Sequence, residues 1–282
     1  MKSLPYHLFA LLSLAQVTQG AITIGSSSND WTPFTGNYDY SADQQTGQAS
    51  ADIVGAGTNY GFLMSFDDNG DTSSTDGDLA FRIRFNDAGD KQNPPNFKNV
   101  VWVGIDADLN GSIDVFLGLD APSNGGTPTL SIRDSGTAAN TSPSTTSISS
   151  SSFWSTAATS TNYNYRAVDF NSDGGTTNDA GGDTNPDFYV SFMVPFQQVV
   201  NFLNTQSISI TDHSPLRYIV ATSQQTNSLN QDLGGVNGEI GSTTTWEALG
   251  GFSNTVALVP EPSSGLLAFG SLAGFLFLTR RR

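Results

Sequence analysis

Apolar residues in this chain come in short runs, each cut off by a cluster of Gly, Asn, Asp, Ser or Pro, and this interruption limits what the chain can fold into. The clearest runs cover residues 60–66, 79–85, 100–105, 113–119, 129–133, 188–194, 207–210 and 216–222. In Phe81-Arg82-Ile83-Arg84-Phe85 the aromatic and Ile side chains alternate one by one with arginines. A period of two belongs to strands, so Phe81, Ile83 and Phe85 are expected to face a core and the two arginines to face water. The pattern predicts an all-β protein, and regular short strands with long polar loops predict a β-sandwich of jelly-roll type. One short helix is predicted over 195–203, with Pro195 in its first turn and Phe196, Val199, Val200 and Leu203 on one face. Residues 135–162 are dominated by Ser, Thr, Asn and Ala and read as a long, mobile surface loop. That loop is either a plain polar connection or a segment that contacts or carries glycans.

Charge and residue inventory narrow the chemistry. Setting aside Lys2 and Arg280 to Arg282 leaves 7 basic residues against 26 acidic ones, a formal charge of 7 − 26 = −19. Nucleic acid and anionic membrane surfaces are poor partners for such a body, and cations are good ones. Only Glu239, Glu247 and Glu261 are glutamates; the other 23 acidic residues are aspartates, which suit turns and oxygen-rich metal loops and disfavour helix interiors. There is no cysteine, and beyond His7 the only histidine is His213. Thiolate chemistry, iron–sulfur clusters, haem attachment and ordinary zinc sites are thereby excluded or nearly so. With no covalent staple, a body of roughly 240 residues must rest on its apolar core, as one large sandwich or two small domains.

The two ends read as export signals. Lys2 precedes an apolar stretch from Leu8 to Val17, and Thr18-Gln19-Gly20 stands before Ala21, the layout of a signal peptide over 1–20. That stretch is well short of the roughly 20 residues a spanning helix needs. At the other end Val259-Pro260-Glu261-Pro262 is followed by an uncharged segment from Gly265 to Leu278 and then by Arg280, Arg281 and Arg282. The prolines stop a helix from running in, residues 263–279 would span about 25 Å as a helix, and the arginines would hold the end on the cytoplasmic side. The motif, the Gly/Leu/Phe segment and the basic terminus together resemble the PEP-CTERM sorting signal, over residues 259–282 only. The resemblance implies a Gram-negative-type envelope, transient residence in the inner membrane, processing near Pro260-Glu261-Pro262 by an exosortase, and delivery to the cell surface or to exopolysaccharide. The expected organisation is a signal peptide over 1–20, a secreted β-sandwich over 21–257 and a sorting signal with a single transmembrane helix over 258–282.

The sharpest local chemistry is Asp106-Ala107-Asp108-Leu109-Asn110-Gly111-Ser112-Ile113-Asp114. Oxygen side chains stand at positions one, three, five and nine, a glycine at six permits the sharp turn, and the Ser112 carbonyl would serve at seven. This is the opening of a calcium loop. Position twelve is Leu117, so the bidentate glutamate of an EF-hand is missing, and the strand-like flanks make it a strand–loop–strand device. The plainer reading is an Asx-rich hairpin turn that binds nothing. A second candidate, Asp169, Asn171 and Asp173 before Gly174, keeps the first three ligand positions and then departs, with Thr177 at nine and Asp187 heading the next strand. A third cluster, Asp67, Asp68, Asn69 and Asp71 followed by Asp76 and Asp78, lacks clean spacing and reads as a solvated hairpin. Were the sandwich to gather these loops at one edge, they would form an acidic rim that calcium relieves.

Catalytic readings are poor. His213 sits in the turn phrase Asp212-His213-Ser214-Pro215 without a Gly-x-Ser-x-Gly elbow, and with so many aspartates a carboxylate pair carries little weight. Trp31, Phe153, Trp154, Tyr163 and Tyr165 lie in polar surroundings and could stack on sugars or anchor the core. The expectation is therefore a non-enzymatic, calcium-stabilised sandwich in a structural or adhesive role, with a carbohydrate-binding module as the alternative and a secreted polysaccharide hydrolase behind it.

Overall fold

The computed structural model describes residues 21–34, 38–45, 47–70, 73–89, 96–122, 126–136, 147–173, 177–238 and 245–258. The expected signal peptide, membrane segment and sorting residues lie outside them. Among the described residues no helix is long and apolar enough to cross a membrane.

In chain order the strands are β1 (Thr32–Pro33), β2 (Phe62–Asp67), β3 (Asp78–Phe85), β4 (Val100–Asp106), β5 (Val115–Asp120), β6 (Thr129–Asp134), β7 (Ser152–Ala157), β8 (Tyr163–Ala167), β9 (Phe188–Pro195), β10 (Arg217–Ser223) and β11 (Asp232–Leu233). They form two antiparallel sheets, ordered β1-β2-β3-β9-β8 and β11-β10-β4-β5-β6-β7. Phe66, Phe81, Phe85, Phe192 and Val194 from the first sheet meet Val101, Val103, Leu117, Leu130 and Tyr218 from the second in one shared core. Each such large side chain contributes roughly 1.5–3 kcal/mol on burial. The molecule is mostly β and built as two facing sheets, in keeping with the sandwich expectation. The jelly-roll order is not the one found. A jelly roll passes successive strands between its sheets, whereas β4 to β7 stay together in one sheet as a meander of sequential neighbours.

Helix α1 (Phe196–Thr205) follows β9 directly, with Pro195 at its N-cap. Phe196, Val199, Val200, Phe202 and Leu203 are buried on the face that closes one end of the core, as the 3.6-residue spacing predicts. The strand expected over 207–210 does not form. Ser207 adopts a positive φ of 67°, which breaks the extended run, and Ile210 is buried in a connection.

Both sheets carry a second layer on their outer faces, and this overturns the expected exposure of the arginines. Residues 22–31 fold over the five-stranded sheet, where Ile24 and Trp31 cluster with Leu63, Ala80 and Tyr189. Arg82 lies beneath this cover, while Arg84 is held instead by Asp187 and the Thr177 carbonyl, and neither has exposed surface. The Arg82 guanidinium stacks 4.2 Å from the Trp31 ring centre, and it donates to Ser191 Oγ at 2.8 Å and to the Ile24 carbonyl at 3.0 Å. On the six-stranded sheet, Ile148, Leu229 and Trp246 cover Val100, Trp102, Phe116 and Ile219; Trp246 opens the short helix α2 (Trp246–Leu249). Every residue of β4 is therefore buried.

That outer face is built on two reciprocal aromatic–glycine pairs, Trp102 opposite Gly118 and Phe116 opposite Gly104. A Cβ added at Gly118 would stand 2.0 Å from Trp102 Cζ3, so the indole lies flat on bare backbone. Gly118→Ala should destabilise the protein by about 1–3 kcal/mol or more through overpacking. A urea midpoint equal to the parent's would contradict this packing.

Residues 152–157, expected within a mobile loop, form β7 and pair with β6 through a register shift between Ile132 and Arg133. Its Ser and Thr residues sit on an edge strand with much of its surface toward solvent, which explains the loop-like composition. The register also rules out one acidic rim. Asp67, Asp78 and Pro195 stand at one end of the five-stranded sheet, and Phe85, Phe188 and Ala167 at the other, so the second and third acidic loops project from opposite ends.

Candidate functional site

The loop between β4 and β5 starts at Asp106, the last residue of a fully buried strand, and returns at Asp114, whose amide donates to the Ile105 carbonyl at 2.8 Å. Between them Leu109 and Gly111 take positive φ values of 62° and 87°, which wind the segment tightly enough to turn its side chains inward. Ile113 points the other way and is buried in the outer cluster with Trp102 and Trp246. Asp106, Asp108 and Asp114 each offer one carboxylate oxygen, and these three atoms lie within 4.8 Å of one another. Asp106 and Asp114 are buried, while Asp108 and Asn110 are exposed and leave the site open to solvent.

Backbone amides hold the carboxylates. Asn110 N donates to Asp106 Oδ1 and to Asp108 Oδ1, both at 3.1 Å, Gly111 N donates to Asp106 Oδ2 at 3.1 Å, and Ala107 N donates to Asp114 Oδ2 at 2.7 Å. Asn110 Oδ1 is turned back to accept from Ser112 N at 2.8 Å, and Ser112 is half-buried. Arg217, opposite Asp106 on β10, donates to Asp106 Oδ2 through Nη2 at 2.5 Å and Nε at 3.1 Å, and to Glu247 Oε2 at 3.0 Å. Four carboxylates and one guanidinium leave a formal charge of 1 − 4 = −3. Burial, with the Asp108 and Asp106 charges added, pushes the Asp114 carboxyl up to about 6. Such a group can hold a metal ion, and a cation there relieves a repulsion that Arg217 only partly offsets.

The second candidate is arranged differently. Asp173 is buried, and Arg166 grips both its oxygens, Nη2 to Oδ1 at 2.6 Å and Nη1 to Oδ2 at 2.7 Å. Ser28 N and Oγ donate to Oδ1 at 3.0 and 2.9 Å, and Asp169 N donates to Oδ2 at 3.0 Å. Burial alone would raise this carboxyl, but these bonds outweigh it and hold the group well below the usual carboxylate range. Asp169 and Asn171 are exposed, and Asp169 Oδ1 accepts from Asn171 N at 2.9 Å. A guanidinium thus takes the place of a metal at Asp173. In the third cluster Asp67 and Asp68 accept from Asn69 N and Gly70 N, both at 2.9 Å, as ordinary Asx turns do.

Of the aromatics, Trp31 is buried on Arg82, while Trp154, Tyr163 and Tyr165 pack against the shared core. Phe153 is exposed, yet its ring lies edge-on to Phe202 at 5.3 Å. These five do not line up as a sugar platform. His213 lies in a turn that Ser214 N closes by donating to the Thr211 carbonyl at 2.9 Å. A further acidic group, Asp43, Asp52 and Asp232, had no mark in the sequence because Asp232, on β11, lies far along the chain from the other two. Comparison with family models, with curated proteins and with solved structures finds no match for the chain.

Proposed function

We propose that the protein is a non-enzymatic, calcium-stabilised β-sandwich, exported and displayed at the cell surface or in an exopolysaccharide matrix, with a structural or adhesive role. The observation that carries the calcium reading is the convergence of Asp106, Asp108 and Asp114 oxygens within 4.8 Å in an open, strongly anionic hairpin. Oxygen-only ligands and a flexible, partly solvated loop suit calcium, while magnesium demands near-octahedral geometry. Asp106, Asp108 and Asp114 would supply carboxylates, and Asn110 and the Ser112 carbonyl would complete the set after a small turn of the amide. Titrating calcium into chelator-treated protein tests this reading: saturable heat with a Kd of about 10⁻⁴–10⁻³ M supports it, and no heat removes it.

Export rests on the terminal segments and their likeness to a PEP-CTERM signal. Exosortase and the export machinery are then the processing partners, and the inner membrane is a transient station. Mass spectrometry of the surface or matrix form should find no peptide from Gly265 onward. Recovery of an intact Arg282 terminus from that fraction would contradict processing near Pro260-Glu261-Pro262.

A further inference from the structure

We infer that Asp43, Asp52 and Asp232, with the buried Asp39 carboxylate beside them, form a second calcium site, which latches the segment before β2 onto the edge of the six-stranded sheet. Asp43, Asp52 and Asp232 each present one oxygen, and these lie within 4.8 Å of one another. The four residues come from separate pieces of chain. Asp39 pairs with Gly55 in an isolated bridge, Asp52 ends a short 3-10 turn over Ala49–Ala51, and Asp232 lies on the two-residue edge strand β11.

Acidic residues gather in many places without an ion, so the unfilled valences are what point to a ligand. Asp39 is 3 % exposed, Asp52 0 % and Asp232 6 %. Within the cluster Asp39 Oδ2, Asp43 Oδ1 and Asp52 Oδ1 are buried and have no hydrogen-bond donor, and neither has Gln44 Oε1 on the same segment. The remaining oxygens are held in place: Asp52 Oδ2 accepts from Ala42 N at 3.0 Å and Asn86 Nδ2 at 2.9 Å, Asp232 Oδ2 from Ile53 N at 2.6 Å, and Asp43 Oδ2 from Gly238 N at 3.0 Å. Asp39 Oδ1 accepts from Tyr40 N at 2.9 Å and Asp232 Oδ1 from Leu233 N at 2.8 Å, so Asp39, Asp43 and Asp52 are each oriented through one oxygen and left open at the other, while Asp232 is fixed through both. The groups also bear on one another. Burial, then the Asp232 and Asp43 charges, push the Asp39 carboxyl well above its ordinary value, and burial pushes Asp52 up to about 6. Among the described residues no Lys or Arg pairs with any of the four. A buried orphan acceptor is costly, and several facing one another without a cation are costlier. Oxygen ligands of irregular arrangement, with Asp43 half-exposed as the entry, fit calcium.

The inference uses no residue of the 106–114 hairpin, so hydrogen exchange can judge the two sites apart. The Ala42, Ile53 and Gly238 amides donate into this cluster, and the Asn110 and Gly111 amides donate into the hairpin. Adding millimolar calcium to the protein should slow exchange at Ala42, Ile53 and Gly238 by about tenfold or more. Asp43→Asn, a same-shape change at the half-exposed member, should abolish that slowing and leave any slowing at Asn110 and Gly111 intact. Calorimetry gives an independent reading, because Asp108→Ala protein should still bind one calcium. Slowing at the first three amides without slowing at Asn110 and Gly111 would keep this site and sink the hairpin reading. Unchanged exchange at Ala42, Ile53 and Gly238, slowing that survives Asp43→Asn, or no calcium bound by Asp108→Ala protein would each overturn the inference and leave a protonated, metal-free cluster.

Discussion

Replacing Asp187 with alanine should lower the unfolding free energy by about 3–5 kcal/mol, because it strands a buried guanidinium. The Arg84 and Asp187 side chains have no exposed surface. Arg84 Nε donates to Asp187 Oδ2 at 2.6 Å, Nη2 donates to the Thr177 carbonyl at 2.6 Å, and Ala180 N donates to the same Asp187 oxygen at 2.7 Å. Burial nonetheless pushes the Asp187 carboxyl up to about 6, against the pull of Arg84, so desolvation exceeds attraction in this pair. Two consequences separate this account from a simple salt-bridge credit. Arg84→Met/Asp187→Leu, which removes both charges, should cost far less than Asp187→Ala alone. Because the folded carboxyl holds its proton more tightly than the unfolded one, its contribution to stability falls as pH rises from about 4 to 6, and the alanine variant should lack that slope. Urea midpoints across that window measure both effects. Equal losses for the single and double variants would contradict the account.

The layout of the sandwich was legible where local period decides it. Phe81, Ile83 and Phe85 face the shared core as their alternation says, and Phe196, Val199, Val200 and Leu203 form the buried face of α1 at helical spacing. What escaped reading depends on distant chain. Arg82 looks like a solvent-facing strand residue until residues 22–31 fold over it, and Arg84 does so until Asp187 and the Thr177 carbonyl take up its guanidinium. Residues 152–157 look like a loop because an edge strand with an exposed face can be made of Ser and Thr. The same division runs through the sites. A hairpin whose oxygen side chains alternate along nine residues announces itself, as Asp106 to Asp114 do, but spacing cannot show that Asp173 answers to Arg166. Nor can spacing join Asp52 to Asp232 across the chain; only the fold does that.

The hairpin variants carry the second large effect. Asp106 is buried and paired with Arg217, so Asp106→Ala should cost about 3 kcal/mol even in chelator, by leaving Arg217 and two backbone amides without their acceptor. Asp108 is exposed, and its carboxylate accepts from the neighbouring Asn110, from N at 3.1 Å and from Nδ2 at 2.8 Å. Asp108→Ala should therefore be near neutral in chelator and should lose most of whatever stability calcium adds through this loop. If the two variants behaved alike in chelator, the structural role given to Arg217 would fail.

A ligand that binds only the folded state adds RT ln(1 + [L]/Kd), about 2.7 kcal/mol at a hundredfold excess over Kd. The most direct test of a calcium-stabilised sandwich is therefore the melting temperature of the unmodified protein, measured in chelator and then in rising millimolar calcium. The account predicts a graded rise that Asp108→Ala diminishes and that magnesium reproduces weakly. A melting temperature unmoved by calcium and by chelator alike would contradict it.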